Sequence, residues 1–239
     1  MEIDYGNIEF TPILREDTLT KFKEFCREEY IDFMKTFAIF ADVDKFLNSK
    51  CQEGDNSSIQ YFTRIMNIRV KDHFSSSIIL ISQGYTVDAL SLTRASLEDL
   101  FVILNFYLEP GYFGKWKANK RSFKIVPAEL RTHPKIDPDD QKLYQKVYKL
   151  LSNSIVHPRI DSLSHMLKYH PTAYSEGSEG VIQLKKDTRL INLSFFVYLH
   201  NLCRLLKLEY KDKVDEENLD DILNQLKSLH IGLVKYFDN

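Results

Sequence analysis

Glycine and proline are scarce in this sequence, with eight and seven residues respectively among 239. Sandwiches and barrels of many short strands need such residues at their turns, so this scarcity argues against an all-β fold. Leucine, lysine, glutamate and aspartate are abundant instead, which favours helix. Hydrophobic residues make up 44% of the chain and can form a sizeable core, which excludes global disorder. We therefore expect an all-α protein.

Cysteine is also rare, and the three residues Cys26, Cys51 and Cys203 are far apart in the chain. This spacing provides neither a disulfide framework nor the paired ligands of a zinc site, so we interpret the cysteines as reduced cytosolic thiols. The sequence likewise lacks a Walker loop, a dinucleotide-binding fingerprint, an H-E-x-x-H zinc motif and a nucleophile elbow. We therefore predict no cofactor and no metal.

Long uncharged runs and a strong net charge are absent as well. The two longest uncharged runs, residues 74–87 and 190–203, span 14 residues each, whereas a membrane-spanning helix needs about 20. The acidic start of the chain, Met1 to Asp4, has neither the basic nor the apolar part of a signal peptide. A net charge of −2 argues against broad attraction to nucleic acids or anionic membranes. We expect a cytoplasmic protein without a membrane partner.

The hydrophobic periodicity predicts helices along most of the chain, which we expect to form a single domain over residues 1–239. The predicted helices span, in approximate numbers, 15–48 as one helix or a broken pair, 58–82, 86–108, 137–157, 186–209 and 216–237. The helix over 86–108 is apolar nearly all round and should therefore be central and buried. The predicted architecture is an up-and-down helical bundle with an N-terminal helix and additional C-terminal helices.

Capping residues set the predicted ends of these helices. The expected N-caps are Ser58, Thr86, Asp137 and Asp215, and Gly84 is expected just after the helix over 58–82. Between residues 109 and 136, prolines and glycines predict a long connection with room for one short helix. Residues 171–180 are polar and contain glycine, which predicts a loop.

Arg94 and Glu98 are the most unusual residues of the predicted central helix, because they lie one turn apart in an apolar stretch. On a helix, Ser91, Arg94, Glu98 and Asn105 fall within an arc of roughly 60° and form a polar stripe. An arginine and a glutamate four residues apart can pair directly, and a buried guanidinium without a partner would be costly. Two interpretations remain open, a structural ion pair that orients neighbouring helices and an inward-facing polar site.

A second group of polar residues occurs where the predicted helix over 137–157 ends. Asn153 and His157 are four residues apart and share one helix face, and Pro158 follows directly. A histidine in this position can cap the free carbonyl groups of the helix, or it can act as a general acid or base.

Three features of the sequence together resemble a known family. They are the Gly84-Tyr85 turn, the segment Ala89 to Glu98 with its Arg-x3-Glu pattern, and the later Tyr148, Ser152 and His157-Pro158. In this order they are similar to an uncharacterised bacterial family of helical proteins related to the HEPN superfamily, over residues 57–160. The resemblance implies a helical bundle that forms homodimers and, in active members, a metal-independent ribonuclease.

The ribonuclease motif of HEPN domains is an arginine, usually followed by Asn, Asp or His, and then a histidine about one turn later. Aligning His157 with that histidine places Asn153 at the polar position and Ser152 where the arginine belongs. A serine cannot supply the permanent positive charge that stabilises a phosphorane-like transition state. A second match to the motif, Arg159 with His165, begins after the helix break at residue 158.

In the catalytic interpretation, Arg94 replaces the missing arginine from the neighbouring helix, and Glu98 holds it in place. His157 then serves as the acid or base that acts on the ribose 2′-hydroxyl or on the leaving oxygen. The candidate catalytic residues are therefore Arg94, Glu98, Asn153 and His157.

Cations and aromatic residues alternate in the connection that follows the helix over 86–108. The candidate RNA-binding residues there are Lys115, Trp116, Lys117, Lys120 and Arg121. Cations contact phosphates and aromatic rings stack on unpaired bases, which suits single-stranded RNA. The alternative is an amphipathic helix whose rings dock on the bundle and whose cations face solvent.

Two functions remain open from the sequence. The first is a noncatalytic HEPN-like module that binds a protein partner or RNA, in a bacterial defence or toxin system as the resemblance implies. The second is a metal-independent endoribonuclease that uses Arg94 and His157 at a dimer interface.

Overall fold

In a computed structural model of the chain, which describes residues 12–51, 56–118, 137–155 and 177–234, the protein is all-α. The helices pack as a bundle, which confirms the predicted fold class. In chain order the helices of the described ranges are α1 (Pro12–Phe25), α2 (Arg27–Ser49), α3 (Ile59–Ser82), α4 (Thr86–Leu108), α5 (Tyr112–Lys117), α6 (Pro138–Ile155), α7 (Glu179–Glu209) and α8 (Lys213–Val234). None of these described helices combines the length and the apolar character that crossing a membrane requires.

Several helix ends lie where the sequence predicts them. The hydroxyl oxygen of Ser58 accepts a hydrogen bond from the Tyr61 N–H at 3.1 Å and caps α3. A carboxylate oxygen of Asp137 accepts one from the Asp139 N–H at 2.9 Å at the start of α6. Gly84 follows α3 with a φ of +85°, a left-handed conformation that glycine adopts without strain. These three predictions are confirmed, and the Gly84 turn joins α3 and α4 into a helical hairpin.

Two predicted N-caps are wrong. Thr86 lies inside the first turn of α4, and its buried hydroxyl has no hydrogen-bond partner among the described residues. At the start of α8, Asp212 rather than Asp215 accepts a hydrogen bond from the Val214 N–H, at 2.9 Å, and Asp215 pairs with Lys50. Threonine and aspartate cap a helix only from the position whose side chain reaches the free N–H groups, and residue type alone does not fix that position.

The segment predicted over 15–48 is divided, in agreement with one of the two predicted alternatives. α1 ends at Phe25, α2 begins at Arg27, and the intervening Cys26 is fully buried. The short helix for which the sequence left room after residue 109 is α5, which follows a left-handed Gly111 with a φ of +76°. Both expectations are confirmed within the described residues.

The start of α7 differs from the prediction. The helix begins at Glu179, and Ser178 caps it by accepting a hydrogen bond from the Val181 N–H at 3.3 Å. The predicted loop over 171–180 is therefore wrong at its end, because Glu179 and a buried Gly180 belong to the helix. The serine N-cap followed by an acid in the first turn is a local signal for this start. Residues 171–176 lie outside the described residues.

The centre of the bundle is α7, which packs against α2, α3, α4, α6 and α8. All of its residues from 190 to 199 are buried. In the middle of this segment, the ring of Phe195 lies 4.4–5.7 Å from the rings of Phe33 and Phe40 in α2 and Phe74 in α3. α4 is buried over most of its length as well, which confirms the predicted central helix. The sequence-based expectation did not assign a central position to α7.

Candidate functional site

Arg94 of α4 forms a polar cluster with Glu98 of the same helix and Tyr148 of α6, which we call the Arg94 cluster. The Nε of Arg94 donates to a carboxylate oxygen of Glu98 at 3.1 Å, and its Nη2 donates to the Tyr148 hydroxyl at 2.9 Å. That hydroxyl donates to the same oxygen of Glu98 at 2.9 Å. The guanidinium carbon also lies 5.1 Å from the centre of the Tyr148 ring, in cation–π contact. The cluster therefore connects α4 to α6.

The Arg94 cluster lies at the edge of the core rather than inside it. The side chain of Arg94 is 25% exposed and that of Glu98 is 42% exposed. Ser91 and Asn105, the other members of the predicted polar stripe, bond to backbone carbonyl oxygens one turn earlier in α4. The predicted direct pairing of Arg94 with Glu98 is confirmed, whereas the stripe does not form one continuous site.

The charge of Arg94 is fixed and largely balanced by its partners. Burial disfavours this charge, but the contacts with Tyr148 and Glu98 outweigh burial and raise the pKa of Arg94. Burial and Glu98 likewise raise the pKa of Tyr148, so its hydroxyl keeps its proton at neutral pH. The carboxylate of Glu98 already neutralises much of the positive charge of Arg94. Arg94 would therefore stabilise a developing anion in a transition state less strongly.

The other candidates of the catalytic interpretation lie only partly within the described residues. Asn153 belongs to α6, but its side chain lies outside the described part, and His157 lies outside it entirely. The alternative match of Arg159 with His165 also lies outside the described residues. Ser152, which stands where the HEPN arginine belongs, donates its hydroxyl to a backbone oxygen one turn earlier in α6, at 2.8 Å.

A second ionisable cluster occurs on the same turn of α4 and faces α3. The carboxylate of Asp99 lies 3.3 Å from the Nε of Arg69 and 3.9 Å from the Nδ1 of His73. Burial raises the pKa of Asp99 to about 6, with Arg69 opposing the shift and Glu98 reinforcing it. Burial and Arg69 lower the pKa of His73. Sequence reasoning missed this cluster, although a second acid next to Glu98 in an apolar helix was a signal for it.

The rings of the predicted RNA-binding segment contact the bundle. Trp116 of α5 has ring centroid distances of 5.4 Å to Phe62 in α3 and 5.0 Å to Phe106 in α4. It also stacks on Phe113 of its own helix. These contacts agree with the alternative interpretation, in which the rings dock on the bundle.

The cations of that segment are only partly described. Lys115 and Lys117 are exposed on α5, and the ammonium of Lys117 donates to the carbonyl oxygen of Ser57 at 3.3 Å. Lys120 and Arg121 lie outside the described residues. The structure therefore brings two of the four predicted cations together on one short helix.

An apolar groove opens where α1, α2 and α3 meet, and we call it the α1–α3 groove. It encloses about 390 Å³ and is lined by Leu19, Phe22, Lys23, Arg27, Tyr30, Ile78, Ile79 and Ser82. Tyr30 and Ile79 are 44% and 55% exposed, which is high for large apolar side chains. Sequence reasoning missed this groove, because its walls are about 50 residues apart in the chain.

Comparison with known proteins gives no information on function, so the function is inferred from the geometry of these sites. No protein-family model matches the chain, and neither the curated proteins nor the solved structures give a match. The relationship of residues 57–160 to the HEPN superfamily therefore stays a prediction. Among the residues that the structure describes, no group of three or more His, Cys, Asp or Glu side chains could hold a metal ion.

Replacing Tyr148 with phenylalanine tests the connection that the Arg94 cluster makes. We expect Tyr148→Phe to lower the free energy of unfolding by about 1–2 kcal/mol, because the lost hydroxyl bonds two charged groups. Tyr144→Phe is the matched control on the same helix, since the Tyr144 hydroxyl donates to the neutral carbonyl oxygen of Leu97, at 2.9 Å. Tyr144→Phe should lower the free energy of unfolding by about half as much as Tyr148→Phe. Equal losses in urea unfolding would show that the charged partners add nothing.

Asp99 of α4 and His200 of α7 are expected to make the stability of the fold depend on pH in opposite directions. Burial raises the pKa of Asp99 to about 6, whereas burial, reinforced by Arg204 and Lys227, lowers that of His200 to about 4. Between about pH 4 and 6, folded Asp99 binds more protons than the unfolded chain, so its contribution to stability falls as pH rises. Folded His200 binds fewer protons, so its contribution rises between about pH 4 and 6.5.

Two variants separate these opposing contributions. Asp99→Asn should exceed wild type in stability at pH 7 by on the order of 2 kcal/mol, and this difference should vanish near pH 4. His200→Gln should show the reverse, with a gain near pH 4 that vanishes at pH 7. Urea unfolding at a series of pH values measures both differences. A difference that does not change with pH, in either variant, would refute the corresponding assignment.

Proposed function

We propose that the chain is a noncatalytic, HEPN-like helical module that acts by binding an amphipathic helix of a protein partner. The observation that carries this proposal is the exposed α1–α3 groove, which combines an apolar lining with a cationic rim. The placement in a bacterial defence or toxin system is part of the same proposal and rests only on the resemblance of residues 57–160.

The noncatalytic part of the proposal rests on how Arg94 is held. Its Nε and Nη2 already donate to Glu98 and Tyr148. A guanidinium that stabilises a phosphorane-like transition state acts through charge and donors directed at the reacting phosphate. In the Arg94 cluster the carboxylate balances that charge, which favours a connection between α4 and α6 over catalysis.

The lining of the α1–α3 groove favours an apolar partner surface. Tyr30 and Ile79, on opposite walls, leave large apolar areas in contact with water. Exposed apolar patches with a polar rim are typical of protein interaction sites. An amphipathic helix fits such a groove by inserting apolar side chains at positions i, i+3 or i+4, and i+7.

The rim of the groove favours acidic residues on that partner. Lys23 and Arg27 are exposed, lie four residues apart, and have no ion-pair partner among the described residues. Acidic side chains that flank the apolar face of a bound helix would complement both cations and speed its association. RNA fits this groove less well, because its phosphates would lie against an apolar lining with only two cations.

Selection from a display library of helical peptides tests the proposal without a known partner. We expect wild type to enrich amphipathic peptides with acidic flanks. Ile79→Glu should weaken the binding of these peptides, measured by fluorescence anisotropy, by roughly tenfold or more, because it places a charge on the apolar lining. Ile182→Glu is the matched control, since Ile182 is a 61% exposed isoleucine of α7 outside the groove. It should bind like wild type.

Three results would overturn this proposal. Enriched peptides that bind Ile79→Glu as tightly as wild type would place the site elsewhere. Enrichment of basic rather than acidic flanks would contradict the role of Lys23 and Arg27. A wild-type dimer that Ile79→Glu abolishes and Ile182→Glu retains would identify a second copy of the chain as the occupant of the groove.

A further inference from the structure

A second groove, lined mostly by charged rather than apolar side chains, runs between α7 and α8. The two helices are joined by residues 210–212 and pack antiparallel, and the groove between them encloses about 570 Å³. We call it the α7–α8 groove. Its volume lies in the range of small-molecule binding sites. The charged side chains along it are Arg204, Lys207, Lys211, Glu216, Asp220 and Lys227.

Cations outnumber carboxylates among the residues that line the α7–α8 groove, although the whole chain carries a net charge of −2. Four cations face two carboxylates along its walls. Arg204 is paired with both Asp137 and Asp140 at the start of α6, and Lys207 is paired across the groove with Asp220 of α8. Lys211 and Lys227 are exposed and have no ion-pair partner among the described residues. These two ammonium groups are therefore available to an anionic ligand.

His200 lines one end of this groove. Its side chain is 14% exposed and stacks on Phe196 with 5.4 Å between ring centroids. Burial, reinforced by the positive charges of Arg204 and Lys227 and opposed by Asp137, lowers the pKa of His200 to about 4. The imidazole is therefore neutral at pH 7 and, with its Nδ1 3.7 Å from a carboxylate oxygen of Asp140, adds no positive charge to the groove.

The two available cations lie toward opposite ends of the groove. α7 ends at Glu209, nine residues after His200, and a rise of about 1.5 Å per residue places that end of the helix roughly 14 Å from the level of His200. Lys211 lies in the connection between the two helices, whereas Lys227 lies 14 residues beyond the first residue of the antiparallel α8 and therefore toward the level of His200. Between them the groove is lined by Leu208, which is 60% exposed, and by Leu223. This arrangement matches an elongated anion with an organic part better than a single phosphate ion.

We propose that the α7–α8 groove binds an elongated ligand through two or more phosphate groups, supplied by a free nucleotide or by a phosphodiester strand. Lys211 and Lys227 contact phosphate oxygens as compact positive charges, and the organic part of the ligand covers Leu208. The site shares no residue with the α1–α3 groove, so Ile79→Glu leaves it intact and either proposal can fail without the other.

Calorimetric titration at 150 mM salt with four probes tests this site: ATP, inorganic tripolyphosphate, inorganic phosphate and a five-nucleotide oligoribonucleotide. We expect a polyphosphate or the strand to bind with a dissociation constant below about 1 mM, and inorganic phosphate to bind much more weakly. The double variant Lys211→Gln/Lys227→Gln should weaken binding by roughly tenfold or more. Lys186→Gln removes an exposed lysine of α7 outside the groove and should bind like wild type.

The probes also distinguish the source of the phosphates. Binding of ATP that depends on both lysines supports a nucleotide, and binding of the oligoribonucleotide alone with the same dependence supports a strand. The proposal is overturned if no probe binds wild type, if the double variant binds as tightly as wild type, or if inorganic phosphate binds as tightly as the polyphosphates. Circular dichroism checks that the double variant is folded. Both lysines are exposed and have no ion-pair partner among the described residues, so their replacement should not unfold the chain.

Discussion

Phe195→Ala is expected to lower the free energy of unfolding by about 3–5 kcal/mol. Phe195 is fully buried in the middle of α7, and its ring lies 4.4 Å from that of Phe74 and 5.5 Å from that of Phe33. The substitution removes ring contacts of α7 with α2 and α3 and leaves a cavity that the packed neighbours fill only in part. Urea unfolding followed by circular dichroism measures the loss.

The matched control for this prediction is Ile182→Ala on the same helix. Ile182 is 61% exposed, so its truncation should change stability by less than about 0.5 kcal/mol. If Phe195→Ala were as mild as this control, α7 could not be the centre of the bundle.

Arg189→Ala is expected to cost about 3 kcal/mol of stability. The Nη2 of Arg189 in α7 lies 2.8 Å from a carboxylate oxygen of Glu29 in α2, whose side chain is only 5% exposed. Removing the cation leaves a buried carboxylate without its charged partner, which is more costly than the loss of the attraction alone. The backbone carbonyl of Glu29 also accepts a hydrogen bond from Asn192 at 2.8 Å, so this turn of α2 cannot easily move into solvent.

Lys45→Ala provides the comparison with an exposed ion pair. The ammonium of Lys45 lies 2.9 Å from Asp42, but the two side chains are 78% and 47% exposed. Solvent screens such a pair, and its loss should cost less than about 0.5 kcal/mol. Equal effects of Lys45→Ala and Arg189→Ala in thermal or urea unfolding would mean that Glu29 is not buried in solution.

Helix ends that depend on local contacts could be predicted from the sequence. Ser58 and Asp137 cap their helices through N–H groups two or three residues away, and such contacts follow from residue type and spacing. Asp215 is the same kind of residue, but it pairs with Lys50, which is 165 positions away in the chain. No local pattern carries that information, and the prediction of Asp215 as a cap fails for this reason.

In the candidate sites, too, local contacts could be predicted from the sequence and long-range contacts could not. Pairing of Arg94 with Glu98 could be predicted because residues four apart on a helix are neighbours. The third member of the cluster, Tyr148, lies 50 positions beyond Glu98 and is brought to it by the packing of α6 on α4. Arg69 and Asp99 belong to different helices as well. The two grooves likewise arise from packing between helices, and periodicity within one helix does not reveal them.

We propose that Arg94 connects α4 to α6 and that the chain does not cleave RNA. The most direct measurement incubates single-stranded RNA with highly purified wild type, Arg94→Ala and His157→Ala in the presence of a chelator, with circular dichroism to show that all three are folded. We predict the same background level of cleavage for all three proteins. Cleavage by wild type that persists with the chelator and is lost in both variants would contradict this claim and establish a metal-independent endoribonuclease.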